Sequence, residues 1–139
     1  MSRWFLLVVL FMVPSLQAGE ILVLVKGDAL VSAPLYAELV VADQAEWSPA
    51  KQQLRIDISA SEPYFRFVQV PQGQYAIRVF LDLDGDGKLG RSRRGIPLEP
   101  VGFSLCTLEQ RSEPVPSDCG FVHDQAQTEI QLDLIHLRR

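Results

Sequence analysis

From Glu20 onward the apolar positions recur at every second residue in short runs, the period of strands rather than helices. Ile21 to Val25 is apolar on both faces, which predicts a central strand or the continuation of a buried edge, ended by Lys26, Gly27 and Asp28. Behind Pro34, Leu35, Ala37, Leu39 and Val41 alternate with Tyr36 and Glu38. Leu54, Ile56 and Ile58 alternate with Arg55 and Asp57 as a half-exposed strand would. After Pro63, the inward positions are predicted to be Phe65, Phe67 and Val70, and Pro71, Gln72 and Gly73 supply a turn. The strand beyond it places Tyr75, Ile77 and Val79 on one face and Ala76 and Arg78 on the other. Val101, Phe103 and Leu105 predict a further strand, and Ile130, Leu132 and Leu134 the last, alternating with Glu129, Gln131 and Asp133. Gln44 to Gln53, with Trp47 and Pro49, and Thr107 to Gln127, with Pro114 and Pro116, have no period and read as loops. About seven strands and no amphipathic helix predict a single antiparallel β-sandwich domain over residues 19–139.

The N-terminus has a different grammar. Trp4 to Val13 is an unbroken apolar run behind Arg3, followed by Pro14 and a polar-to-small stretch ending at Ala18. Crossing a bilayer takes about 20 such residues, so residues 1–18 are expected to be a signal peptide cut after Ala18, with no membrane span left afterwards. The alternative is an uncleaved anchor. Removing Arg3 leaves 12 basic against 17 acidic side chains, a formal charge of 12 − 17 = −5. That balance disfavours nucleic acid and anionic membrane as partners. An exported chain with two cysteines, Cys106 and Cys119, is expected to join them in a disulfide, with zinc ligation or a reactive thiol as the alternatives.

The candidate chemistry lies after the Tyr75 strand. Asp82, Asp84 and Asp86 alternate and are followed by Gly87, the start of the calcium-loop pattern D-x-D-x-D-G. A tightly turned chain aims every second side chain at one point, as a hard cation requires. In that pattern the Lys88 carbonyl takes the main-chain ligand position, but Arg93 stands where a bidentate glutamate belongs. The loop is therefore no EF-hand, and Glu99 is the nearest carboxylate able to complete a structural calcium site. Two readings without an ion stand beside it. One is neutralisation by Arg91, Arg93 and Arg94, and the other is a solvated Asp-Gly turn.

Three further stretches carry a resemblance. Gly73 to Val79 reads G-x-Y-A-I-x-V, Asp86 to Leu89 closes the acidic loop on G-K-L, and Gly95 to Ser104 reads G-I-P-x-E-x-x-G-F-S. In this order the segments resemble an exported bacterial family known as domain of unknown function 2141. The resemblance implies a prealbumin-like or carboxypeptidase-regulatory-like sandwich of Greek-key form, with no established activity. Gly90 stands where that family usually has an acid after G-K-L, and Asp84 and Asp86 stand where it often has asparagine. Cys106 to Cys119 lies outside the pattern.

These readings predict a periplasmic or secreted, non-enzymatic module that meets another protein or a cell-surface polymer. A small-ligand or carbohydrate binder, with Trp47, Tyr36 or Tyr64 as stacking platforms, is the alternative. A hydrolase has the least behind it. Only His123 and His136 are available as bases, His123 beside Asp124, and no nucleophile accompanies them.

Overall fold

The computed structural model describes residues 9, 18–58, 63–108 and 113–137. The expected signal peptide, residues 1–18, lies outside them apart from positions 9 and 18. Among the described residues eight strands form: β1 (Gly19–Lys26), β2 (Pro34–Val41), β3 (Gln52–Asp57), β4 (Tyr64–Val70), β5 (Gly73–Leu81), β6 (Val101–Phe103), β7 (Phe121–His123) and β8 (Gln127–Asp133). They build two open sheets, β4-β1-β8 and β3-β2-β5-β6, with β7 also on β5. The chain is thus all-β and sandwich-like, and the expected count of about seven strands becomes eight.

Of the two positions expected for the first strand, the central one holds: β1 lies between β4 and β8, with Ile21, Val23 and Val25 fully buried. Its pairing with β4 is antiparallel, but its pairing with β8 is parallel, from Glu20 opposite Gln127 to Lys26 opposite Asp133. An entirely antiparallel sandwich is therefore corrected. The first and last strands run side by side in the same direction, a relation that no local pattern encodes. The spacing from Phe67 to Val70 also has a cause. Gln69 takes a positive φ of 52° at a register shift, so the inward face resumes one residue late.

The core between the sheets joins Ile21, Val23 and Val25 to Leu35, Ala37, Leu39, Ile77, Val79 and Leu81, with Phe65 and Phe67 of β4 packed edge-on. Full burial of each valine, leucine, isoleucine or phenylalanine in this set stabilises by roughly 1.5–3 kcal/mol. A second apolar layer covers the other face of the β5 sheet. There Trp47, Phe80, Val101, Phe103 and Cys119 pack together with Val40 and Ala76. The alternation of β5 therefore does not separate core from solvent, because Ala76 and Arg78 are buried as well.

Two expectations about the 101–127 region are corrected. The sixth strand stops at Phe103 and does not reach Leu105, which is 67% exposed with a φ of 51°. The intervening Ser104 hydroxyl accepts the Ile77 N–H at 2.9 Å and donates to the Cys119 carbonyl at 2.7 Å, turning the chain toward the cystine. The stretch read as an irregular excursion holds a 3-10 turn, Pro116–Cys119, and then β7. Three residues are too few for a period to be read.

Candidate metal centre

Strand β5 ends at Leu81, whose N–H donates to the Pro100 carbonyl, and the next N–H, from Asp82, donates to Pro34 at 2.8 Å. Asp82 therefore leaves a strand held on both sides. It is only 3% exposed, and its two oxygens accept Gly85 N–H at 3.0 Å and Gly87 N–H at 2.9 Å. Asp84 accepts the Asp86 N–H at 3.2 Å, and Asp86 accepts the Lys88 N–H at 2.9 Å. These local bonds wind the chain around its own carboxylates. Gly85 and Gly87 sit at φ of 78° and 74°, the left-handed region that suits glycine.

Glu99 closes the loop from the opposite side. It is 6% exposed, and its oxygens accept Leu83 N–H at 2.6 Å and Gly90 N–H at 2.9 Å. The Leu98 N–H adds a bond to the Gly90 carbonyl. One oxygen from each of Asp82, Asp84, Asp86 and Glu99 lies within 4.8 Å of the others. All four carboxylates expected at the site are thus brought together, including Glu99 from well outside the acidic run. Lys88 contributes its N–H to Asp86.

The electrostatics follow from crowding. Burial pushes Asp82 up, but the Gly87 N–H, a hydrogen bond with Asp84 and the Gly85 N–H outweigh it and hold the carboxyl below its ordinary value. For Asp84 the Asp86 N–H favours the charged form, yet hydrogen bonding with the Asp82 carboxyl, desolvation and the neighbouring Asp86 and Glu99 raise it. One member of the set thus holds its proton more tightly, chiefly through its hydrogen bond with the Asp82 carboxyl.

Guanidinium groups do not relieve this. Arg91 pairs with Glu113, which also takes Arg78 at 2.8 Å, and Arg78 reaches Glu38 at 2.5 Å. Among the described residues no ion pair joins Arg91, Arg93 or Arg94 to the four converging carboxylates. The Glu38–Arg78–Glu113–Arg91 chain, with Arg78 over the Trp47 ring at 5.6 Å, was missed from sequence. Its signal was a lone arginine opposite a lone glutamate in otherwise apolar strands, legible only once the β2–β5 register pairs Glu38 with Arg78.

The four carboxylates fit a hard, oxygen-seeking ion by charge and donor type, which makes them a candidate metal centre. The other candidate residues lie in structural roles. Cys106 and Cys119 form the expected disulfide, with Cα atoms 5.0 Å apart. His123 is fully buried, its ring nitrogens bonded to the Thr128 hydroxyl at 2.6 Å and the Val70 carbonyl at 3.1 Å. His136 bonds the Leu98 carbonyl at 3.0 Å. Trp47 is buried and donates to the Pro114 carbonyl, Tyr36 stacks on Phe80, and Tyr64 is exposed. The expected stacking platforms therefore do not meet on one groove. Among the described residues no helix is long and apolar enough to cross a membrane.

Fold and site together define an all-β, two-sheet protein carrying a glycine-turned acidic loop clamped by a distant glutamate. A family model described as an uncharacterized protein conserved in bacteria, DUF2141, matches residues 23–131, and the chain belongs to that family. The match runs from the first strand through the acidic loop to the last. No curated protein and no solved structure matches the chain.

Proposed function

We propose that this protein is an exported, non-enzymatic β-sandwich module, periplasmic or secreted, in which calcium bound at the acidic loop fixes a surface for another protein or a cell-surface polymer. The observation that carries the reading is the convergence of Asp82, Asp84, Asp86 and Glu99 within 4.8 Å, with no cationic side chain paired to them among the described residues. Calcium suits such a set better than magnesium, which keeps its waters and seldom enters an all-protein cage. The ion's contribution is electrostatic: it offsets the mutual repulsion of the carboxylates. The chain's own residues hold the loop shape.

Export is supported by two features. The Cys106–Cys119 disulfide suits an oxidising compartment, and β1 begins at Gly19, directly after the expected cut. The non-enzymatic reading is supported by the engagement of both described histidines in bonds to the fold itself. A prealbumin-like arrangement of the two sheets is part of the same proposal.

Calcium titration by calorimetry and thermal melts with calcium or chelator test the reading. An ion that binds only the folded chain adds about 2.7 kcal/mol at a hundredfold excess over Kd. The melting midpoint is expected to rise with calcium, and Asp84→Ala to abolish the rise. A flat isotherm together with unchanged midpoints rules the ion out.

A further inference from the structure

We infer that the cleft beside the acidic loop is a docking groove for an extended peptide in which an aliphatic side chain neighbours a lysine or arginine. The cleft encloses about 580 Å³, with Val31, Leu83, Pro100 and Ile135 on its apolar walls and Asp28 and Asp133 at its rim. Val31 and Leu83 remain 51% and 47% exposed. Single exposed aliphatics are ordinary, but two that line one concave surface mark area suited to an apolar partner group.

The rim sets the partner's charge. Among the described residues neither Asp28 nor Asp133 takes part in an ion pair, and neither does Lys26, the register neighbour of Asp133. An anionic polymer or nucleic acid would meet like charge there. A carbohydrate would find no phenyl, phenol or indole face among the lining residues, and the His136 ring is already bonded to Leu98. A peptide supplies the aliphatic and the cationic group side by side.

The groove floor is fixed. The Leu134 N–H donates to Lys26 at 2.7 Å, and Gly27, at φ of 129°, lets the chain pass where a Cβ would lie 2.6 Å from the Leu134 carbonyl. Only the Leu83 wall rests on the calcium reading. Leu83 stands between Asp82 and Asp84 with its N–H on Glu99, so an ion gathering these carboxylates would also settle that side chain.

The test titrates the isotopically labelled mature chain, loaded with calcium, with acetylated and amidated Ala-Val-Lys-Leu-Ala, and separately with Ala-Val-Glu-Leu-Ala. Saturable amide shifts are expected at residues 27–31, 83 and 133–136 with the lysine peptide, and about tenfold weaker binding with the glutamate peptide. Asp28→Asn and Asp133→Asn, both at exposed positions, each weaken the lysine peptide about threefold. Shifts that do not saturate, that centre elsewhere, or that are equal for both peptides overturn the groove. Calcium alone is titrated in parallel, so a flat calcium isotherm sinks the metal reading, while lysine-peptide shifts that persist in chelator still support the groove.

Discussion

Replacing Asp82 with asparagine separates the loop's own architecture from any ion it holds. Asp82 is 3% exposed, and each of its oxygens takes a backbone N–H, from Gly85 and from Gly87. A hydrogen bond to a charged acceptor contributes about 1.5–3 kcal/mol, and a buried donor left unmatched costs about 1–3 kcal/mol. Asparagine keeps one oxygen as a weaker, neutral acceptor and turns its NH2 toward the other N–H. The expected loss is therefore about 3 kcal/mol in the absence of any metal. For a domain of this size that lowers the melting midpoint by about 10 °C. Asp86→Asn is the control: Asp86 is exposed, and an amide oxygen can still accept the Lys88 N–H. In chelator it should move stability by no more than about 0.5 kcal/mol, yet reduce the calcium-dependent shift. Circular dichroism melts of the three proteins, each in chelator and in calcium, read out both effects. If Asp82→Asn melts with the parent in chelator, or Asp86→Asn falls as far as Asp82→Asn, the division of labour within the loop is refuted.

Two further predictions test the layer outside the β5 sheet. Replacing Cys106 and Cys119 together with serine opens a loop of sequence separation 13 and should lower unfolding free energy by about 3 kcal/mol on the chain-entropy model, with an unchanged urea midpoint counting against it. Glu38 provides the pH dependence. Burial raises its carboxyl above the ordinary 4.5, and the adjacent Arg78 guanidinium offsets this only in part. The folded chain then holds the Glu38 proton more tightly than the unfolded chain. Stability from this group is full below the ordinary value and declines as pH rises through 4.5 toward the raised folded value. Urea denaturation across about pH 4 to about pH 7 should show a decline in the parent that Glu38→Gln removes, and a steeper decline in the variant would reverse the sign of this reasoning.

Most strands were legible because burial on one face writes a period of two into the sequence, as in β3, β4 and β8. The acidic loop was legible for another reason, since its local bonds join residues two to five positions apart. Glu99 could be named only as the nearest spare carboxylate, and it closes the site because β6 returns the chain alongside β5. What sequence hid is non-local. The parallel β1–β8 pair, the short β7 and the Trp47 layer over Ala76 and Arg78 all depend on which distant segments meet. Residues that look outward on a strand are buried once a loop folds over them, and alternation alone cannot register that.

The loop's shape and its charge have different requirements. At Asp84 and Asp86 the shape needs one oxygen to accept a backbone N–H, which an asparagine side chain supplies equally well. With asparagine at both, the loop would keep its turns and the converging set would fall from four carboxylates to two. Aspartate at both positions therefore adds charge that the turns do not need, and Asp84, hydrogen-bonded to the Asp82 carboxyl beside Asp86 and Glu99, is held above its ordinary value. A charge that the fold does not require, placed beside carboxylates that already accept N–H donors and, among the described residues, in no ion pair with Arg91 or Arg94, is intelligible as a complement to a cation. On this argument the doubly substituted Asp84→Asn, Asp86→Asn chain should be at least as stable as the parent in chelator and less stable than it in calcium, a crossing that a purely structural acidic turn would not produce.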